Sequence, residues 1–308
     1  YQALTDDAVG MSRKDFKIEI KVDKEHRTLT VSDNGIGMDK EDLENNLGVI
    51  ASSGSYKFKQ EVGDDTKDTD VIGQFGVGFY SAFMVCDQVT VRTRKFGSDT
   101  AYQWQSSGAD GYTVTECDKS DAGTEVIMHL KDDTEDEHYS EFLEEWKLRE
   151  LIKKYSDYIR FPIRMEVSKT RRKEGSPDDK PEYETYQEEE TLNSMVPIWQ
   201  RRKSSVKPEE YNKFYRDKFH DYADPQKVIA VSAEGAVTYK ALLFIPGATP
   251  FDYYTKEYEK GLQLYSNGVL IMDKCADLLP EHFRFVRGVV DSPDLSLNIS
   301  RELLQHDR

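Results

Sequence analysis

The chain has 308 residues, of which 37% are hydrophobic and 32% charged, and this length predicts two domains rather than one. Its formal net charge of −16 at pH 7 argues against a general nucleic-acid-binding protein, which normally has a basic surface. The sequence has no apolar run of about 18 residues that could span a membrane, and its three cysteines, at positions 86, 117 and 275, form no Cys-x-x-Cys motif and are expected to be reduced.

The first part of the chain predicts a hairpin followed by a short helix. Apolar and polar residues alternate over residues 16–22, and a second strand-like run covers residues 28–31. A helix is predicted over residues 40–47, with Asp39 as its N-cap and Gly48 at its end.

A glycine motif, Ser32-Asp33-Asn34-Gly35-Ile36-Gly37-Met38, lies between the hairpin and this helix. Glycine tolerates a positive φ and lets the backbone approach a ligand closely. The carboxylate of Asp33 only accepts hydrogen bonds, so it suits a ligand that presents an N–H, such as the exocyclic amine of adenine. By itself the motif could equally be an ordinary turn, because Asp-Asn-Gly is a common turn signal.

A second glycine motif precedes the apolar run at residues 80–85. It reads Gly73-Gln74-Phe75-Gly76-Val77-Gly78-Phe79. This pattern predicts a loop that opens into a helix, where free backbone N–H groups favour an anion such as phosphate. The loop has neither the Gly-Lys-Ser/Thr ending of a P-loop nor the βαβ context of a dinucleotide-binding fingerprint. A third piece, Gly123-Thr124, lies in a strand-like run and offers a hydroxyl.

Further strands are predicted at residues 88–94, 101–105, 112–116 and 125–130. Together with the helices they predict an α/β domain in which helices cover one face of an antiparallel sheet. The polar segment at residues 48–69 is predicted to be a loop between the two glycine motifs.

The acidic run at residues 131–138 predicts a domain boundary. A helix near residues 142–152, a strand at 163–167 and a charged, solvated loop at 168–190 are expected to follow. A second sheet is then predicted, with a helix at 208–219 and strands at 228–231, 238–245, 262–265 and 269–272. The predicted domains are an N-terminal domain at 1–130, a junction and helix at 131–160, and a second α/β domain at 161–308.

The order Asp-x-Gly-x-Gly-Met, Gly-x-x-Gly-x-Gly and Gly-Thr resembles a known ATPase fold. This two-layer α/β sandwich is shared by gyrase B, the heat-shock protein 90 chaperones, sensor histidine kinases and MutL. The strings at residues 45–51 and 73–83 resemble heat-shock protein 90 in particular, and the resemblance extends from residue 1 to residue 308. Because the charged stretch at 168–190 is short, the chain resembles the bacterial type, with an organellar member as the other possibility.

The resemblance implies an ATP or ADP site. Asp33 would bind the adenine amine, with Thr124 supporting it through water. The base pocket would be lined by Gly37, Met38, Leu47 and Phe79. Ribose and phosphates would be faced by Asn46 and the loop Gly73, Gln74, Phe75, Gly76, Val77, Gly78 and Phe79. Residues 48–69 would form a lid over the nucleotide, although Ser52 and Ser55 replace the lysine and threonine of many relatives.

In the second domain, residues 295–305 resemble the family's catalytic loop. Arg301 would reach the terminal phosphate of ATP, and Gln305 would support it, because a guanidinium complements developing phosphoryl charge. Without the flanking motif, Arg301 would more simply pair with a surface acid.

The resemblance also implies client proteins as partners. The expected client-binding residues are aromatic, namely Trp199, Phe251, Tyr253 and Tyr254. These side chains could instead pack a core. The full-length parent would be a homodimer in the cytoplasm, with co-chaperones possible and without a nucleic-acid or membrane partner.

One family feature is expected to be missing from the sequence. The glutamate that orients water and the asparagine that binds Mg²⁺ lie on a helix before the position that Tyr1 matches, and no Glu-x-x-x-Asn occurs ahead of Asp33. The parent is thus expected to be an ATPase, whereas this chain alone is expected to hydrolyse ATP very slowly or not at all and to contain no metal ligand.

Three alternatives remain from the residues. A sensor histidine kinase would need a phosphoacceptor histidine on a helix before the pocket, whereas His26 lies in a predicted hairpin turn. A gyrase or MutL relative would need a basic DNA-facing surface. A client-binding protein that binds no nucleotide stays open.

Overall fold

The structure is a computed structural model of the chain, and it describes residues 14–48, 78–108, 111–176, 181–235, 238–250 and 253–293. These residues form two compact units. The first contains the described residues up to Lys153 together with Phe161–Asn193, and the second contains Lys154–Arg160 together with the described residues from Ser194 onward. Within the described ranges, no helix is long and apolar enough to cross a membrane.

An eight-stranded sheet is the centre of the first unit. Its strands are β1 (Ile18–Asp23), β2 (Thr28–Asp33), β3 (Cys86–Arg94), β4 (Ala101–Ser106), β5 (Tyr112–Cys117), β6 (Gly123–Leu130), β7 (Ile163–Arg172) and β8 (Tyr183–Thr191). Across the sheet the order is β5-β4-β3-β6-β2-β1-β7-β8. Neighbours are antiparallel except β1 and β7, which are parallel. The strands predicted before residue 131 are therefore confirmed.

Helix α1 (Lys40–Leu47) follows β2 at the predicted position. The carboxylate of Asp39 accepts the Asp42 N–H at 2.9 Å, and the carboxylate of Asp42 accepts the Asp39 N–H at 3.2 Å. This reciprocal pair satisfies two N–H groups that the first turn leaves free. Gly48 follows as the C-cap, so both predicted helix ends are confirmed.

The core of the first unit lies between α1 and the sheet. It contains Leu43, Leu47, Cys86, Val89, Val91, Trp104, Leu130 and Leu143. The apolar run after the second glycine motif forms a tight 3₁₀ helix, Phe79–Met84, which packs against the same core. A further 3₁₀ helix (Tyr139–Leu143), helix α2 (Glu145–Leu151) and a π-helical turn (Ile152–Ser156) follow β6. The predicted α/β architecture is confirmed.

The prediction of a loop at residues 168–190 is wrong, because most of these residues belong to β7 and β8, which pair as a hairpin. Basic side chains on β7 face acidic side chains on β8. The ion pairs are Arg164–Glu189, Lys169–Glu188 and Arg171–Glu184, with N–O distances of 3.1, 2.6 and 2.6 Å. Opposite charges across an antiparallel pair stabilise it, so a stretch without apolar periodicity still forms a strand.

The same hairpin bears on the predicted domain boundary. Because β7 pairs with β1, through Ile18 and Ile163 among others, Phe161–Asn193 packs in the first unit. The sequence had placed these residues in the second domain, at 161–308. The pairing joins strands that are far apart along the chain, and nothing local marks it.

A five-stranded sheet is the centre of the second unit. Its elements are α3 (Pro208–Phe219), β9 (Lys227–Ala233), β10 (Tyr239–Ile245), β11 (Leu262–Ser266), β12 (Val269–Cys275) and β13 (Arg287–Asp291), with short 3₁₀ turns at Ile198–Gln200, Lys203–Ser205, Ala276–Leu278 and Glu281–Phe283. The strand order is β12-β11-β13-β10-β9, and only β11 and β13 are parallel. The buried core is rich in aromatic side chains, including Tyr158, Trp199, Tyr215, Phe244 and Tyr265. The predicted second α/β domain is confirmed in its helix and strands.

Candidate functional site

Three neighbouring strands bring Asp33, Thr124 and Thr93 into one row. Asp33 at the end of β2 is opposite Thr124 on β6, and Thr124 is opposite Thr93 on β3. The hydroxyl oxygens of Thr93 and Thr124 lie 3.0 Å apart. The row thus places one carboxyl and two hydroxyl groups side by side at the edge of the core.

The carboxyl of Asp33 is held by backbone groups. Its Oδ1 accepts the N–H of Gly35 at 2.8 Å, and the backbone of Thr124 also hydrogen-bonds to it. Part of Asp33 remains open to solvent, but protein atoms around the carboxyl remove enough water to raise its pKa. The amides of Gly35 and Thr124 and the charge of Lys119 partly oppose this shift. Such a carboxyl gains from a ligand N–H that replaces lost water.

Two glycines of the predicted motifs have close backbone neighbours. Gly37 has φ +66°, and a Cβ there would lie 1.9 Å from the carbonyl oxygen of Arg94. Gly123 has φ +118°, and a Cβ there would lie 2.2 Å from the carbonyl oxygen of Asp33. Both positions exclude a side chain. The glycines therefore let the turn after Asp33 pack directly against β3 and β6.

Apolar residues predicted to line the base pocket pack together in the structure. Leu47 is buried, and Met38 and Phe79 pack on the same core. The ring of Phe79 lies 5.4 Å from that of Trp104 in an edge-to-face arrangement, and the hydroxyl of Tyr80 donates to the carbonyl oxygen of Leu47. Asn46, also on α1, is half-buried, and Gly78 is exposed.

Several predicted site residues lie outside the described residues. They are Gly73, Gln74, Phe75, Gly76, Val77, Phe251, Arg301 and Gln305. The same holds for residues 49–69 of the predicted lid, including Ser52 and Ser55. The roles assigned to all of these residues stay predictions.

Trp199 is a core residue rather than an exposed aromatic. It is only 6% exposed, and its ring packs edge-to-face on Tyr158 at 4.8 Å. Its indole N–H donates to Oδ2 of Asp291 at 2.9 Å, and the side-chain amide of Gln200 donates to the same oxygen at 2.9 Å. Trp199 therefore packs in a core, as the alternative prediction had it, and the structure does not present it as an exposed client contact.

The two tyrosines of the predicted client-binding loop differ in exposure. Tyr254 is 88% exposed. Tyr253 is half-buried, and its ring lies 5.0 Å from that of Tyr254 and 5.2 Å from that of Tyr258. The guanidinium of Arg284 lies 5.0 Å from the Tyr253 ring and donates to the Tyr253 carbonyl oxygen at 3.2 Å. Of these two tyrosines, Tyr254 is therefore the one whose ring is largely exposed.

Sequence reasoning missed Thr93. It is fully buried, accepts the Met38 N–H at 2.9 Å and donates to the Gly123 carbonyl oxygen at 3.2 Å. A signal was present, because Thr93 continues the inward-facing row of Val89 and Val91 on β3. A hydroxyl at a buried strand position needs a partner and so indicates a polar site. Among the described residues, no group of three or more His, Cys, Asp or Glu side chains could hold a metal ion.

Comparison with known proteins separates the two halves of the chain. Residues 4–124 match the family "Histidine kinase-, DNA gyrase B-, and HSP90-like ATPase". Residues 141–185 and 176–308 match the family "Hsp90 protein", which covers more than half of the chain. The chain belongs to the heat-shock protein 90 family. The predicted resemblance is confirmed, and the second match separates the chain from the histidine kinases, gyrase and MutL.

Relatives of this heat-shock protein 90 chain are bacterial proteins called "Chaperone protein HtpG". Those of Clostridium botulinum (strain Langeland) and Alkaliphilus oremlandii are each 59% identical over 309 residues, and that of Clostridium acetobutylicum is 58% identical over 308 residues. Each match covers the whole of this chain and 49% of the relative. The chain spans about half the length of these curated relatives, and its resemblance to the bacterial type is confirmed.

Proposed function

We propose that this chain is the ATP-binding part of a bacterial-type heat-shock protein 90 chaperone. The observation that carries the proposal is the row of Asp33, Thr124 and Thr93, beside the close approach of Gly37 to β3. A partly desolvated carboxyl next to two hydroxyl groups and a half-buried glycine turn suits a flat heterocycle with an amino group. Family membership makes adenine the ligand to test first.

In this proposal, Asp33 accepts a hydrogen bond from the exocyclic amine of adenine, and Thr124 contributes its hydroxyl through water. Gly37 and Met38 contact the base. Leu47 and Phe79, which pack in the hydrophobic core, form apolar walls of the base pocket. Asn46 faces the ribose and phosphates together with residues 73–79. Mg²⁺, when bound with the nucleotide, would neutralise phosphate charge.

Arg301 and Gln305 are proposed to act on the terminal phosphate. A guanidinium at that position would stabilise the charge that develops during phosphoryl transfer. We propose that nucleotide binding in the whole protein closes the lid at residues 48–69, clamps a homodimer and remodels client proteins in the cytoplasm, with co-chaperones as possible regulators. Because no Glu-x-x-x-Asn precedes Asp33, the 308-residue polypeptide assayed alone is expected to bind ATP but to turn it over very slowly. A turnover rate equal to that of a full-length relative would contradict this expectation.

Calorimetric titration with Mg·ADP tests the nucleotide site. We expect saturable binding to the chain and no measurable binding to Asp33→Asn, since an amide would present an N–H₂ or a weaker acceptor to the adenine amine. Asp132→Asn is a matched control, because the Asp132 side chain is 98% exposed and makes only a 3.9 Å ion pair with Arg27. Absence of binding to the unmodified chain, or equal binding to both variants, would overturn the proposal.

A second candidate function is client binding without nucleotide, and the exposure of Tyr254 favours it. An aromatic ring that is 88% exposed can contact apolar segments of unfolded chains. In an aggregation-suppression assay without nucleotide, Tyr254→Ala should lower the protection of an unfolded client. Tyr222→Ala is the control, because Tyr222 is exposed as well but lies on another loop. Equal protection by Tyr254→Ala and the unmodified chain would remove this candidate.

A further inference from the structure

The end of β3 and the residues just after it contact the turn between β2 and α1 at Ile36, Gly37 and Met38. The N–H of Phe96 donates to the carbonyl oxygen of Ile36 at 2.7 Å. At the last residue of β3, two positions before Phe96, the carbonyl of Arg94 lies directly against Gly37, and Thr93 accepts the N–H of Met38. These contacts place the backbone of the turn against the strand.

Lys95 adds charged contacts to this backbone packing. Its Nζ lies 2.6 Å from Oδ2 of Asp39 and 2.8 Å from Oδ2 of Asp42. The same two carboxylates form the reciprocal cap of α1. One ammonium therefore joins β3 to the residue that ends the turn and to the first turn of the helix.

The positions of these three charged side chains depend on one another. Asp39 and Asp42 repel each other, and a cation between them offsets that repulsion. In agreement, hydrogen bonding to Lys95 lowers the pKa of Asp39, and hydrogen bonding to Asp39 and Asp42 raises the pKa of Lys95. All three side chains are about two-fifths exposed, so the network remains accessible to water and salt.

We propose that Lys95 is a positioning residue for adenine binding. It fixes Asp39 and Asp42 to β3 and thereby sets the conformation of Gly37 and Met38, against which the base would lie. Lys95 acts through these carboxylates and the backbone, without touching the nucleotide. The inference rests on the proposed nucleotide function, and it adds a residue immediately after β3 that no glycine motif contains.

Binding of two ligands to charge variants tests this role. Lys95→Met keeps the length of the side chain but removes its charge, and it should weaken both ADP and adenosine by about fivefold, the equivalent of roughly 1 kcal/mol. Lys95→Arg should restore most of the affinity, because a guanidinium can still bridge two carboxylates. Lys24→Met is the control, since Lys24 pairs with Glu144 at 2.8 Å on an exposed surface; its affinities should be unchanged.

Two results would overturn the proposal. Unchanged affinities in Lys95→Met would show that the turn does not depend on the ammonium. A loss confined to ADP would show that Lys95 acts on phosphate charge instead of on the base.

Amide hydrogen exchange supplies a readout that needs no nucleotide. In the ligand-free chain, Lys95→Met should speed exchange at Met38 and Phe96 while leaving β4 and β5 unchanged, and Lys95→Arg should reverse the effect. Unchanged exchange at Met38 and Phe96 would also overturn the inference. If the unmodified chain binds no nucleotide, the proposed function fails on that result alone, and exchange still decides whether Lys95 positions the turn.

Discussion

Asp33 and Thr124 stand opposite each other on β2 and β6, and the backbone of Thr124 hydrogen-bonds to the Asp33 carboxyl. The pairing register therefore determines which hydroxyl lies beside the carboxyl. A slip of one residue would turn the neighbouring side chain to the other face of the sheet. The candidate site thus depends on strand register as much as on its motif.

The raised pKa of Asp33 predicts a pH-dependent cost to stability. Between the ordinary value of 3.8 and the raised folded value, the folded chain keeps a proton that the unfolded chain releases, so the free energy of unfolding falls as pH rises through this window. Asp33→Asn removes this titration. Urea unfolding at a series of pH values should show the variant gaining stability relative to the unmodified chain from pH 3.5 to pH 7. A difference that stays constant over this range would contradict the prediction.

Thr93→Val should destabilise the first unit and weaken nucleotide binding together. The valine keeps the shape but leaves the Met38 N–H and the Gly123 carbonyl without their partner at the fully buried Thr93 position. We expect a loss of about 1–3 kcal/mol in the free energy of unfolding. Thr90→Val, three residues earlier and on the other face of β3, should cost less in urea unfolding. Equal losses in the two variants would remove the special role of Thr93.

Glu190→Gln tests the bidentate ion pair between helix α2 and β8. Arg149 donates to both carboxylate oxygens of Glu190, at 3.0 and 2.9 Å, and this lowers the pKa of Glu190 to about 2. The stabilisation is present above the ordinary glutamate pKa of 4.5 and is lost as pH falls toward 2. Since both side chains are about one-third exposed, we expect a loss of roughly 1 kcal/mol at pH 7.

The control for this pair is Glu189→Gln, which removes a single contact to Arg164 at 3.1 Å. Urea unfolding at pH 7 and near pH 2.5 should show a larger loss for Glu190→Gln only at the higher pH. A loss of the same size at both pH values would indicate that packing, and not charge, is responsible.

Asp291→Ala should destabilise the second unit. The buried carboxylate accepts from the Trp199 indole and the Gln200 amide, and its removal leaves both donors without this partner. We expect the free energy of unfolding to fall by roughly 2–3 kcal/mol, with a red shift in tryptophan fluorescence. Asp273→Ala is the control, because Asp273 is exposed and accepts only from Gln263 at 2.8 Å. An unshifted spectrum with unchanged stability would contradict this account.

The sequence by itself determined the features that depend on neighbouring residues. Alternation and capping residues predicted most strands, α1 and α3, and the glycine motif singled out Asp33 and Gly37, because strand faces, caps and turns are set by local backbone chemistry. The Hsp90 resemblance followed from the same short strings, and the family matches confirmed it.

The tertiary structure alone decided the contacts between residues far apart in the chain. The β7–β8 hairpin is stabilised by ion pairs that form only when its two strands lie side by side. The pairing of β7 with β1 places Phe161–Asn193 in the first unit. Burial of Trp199 depended on Tyr158 and Asp291. The bridge from Lys95 to Asp39 and Asp42 also follows no local sequence pattern. This lysine lies just after a strand, and it meets the two carboxylates only because the sheet and the helix pack together.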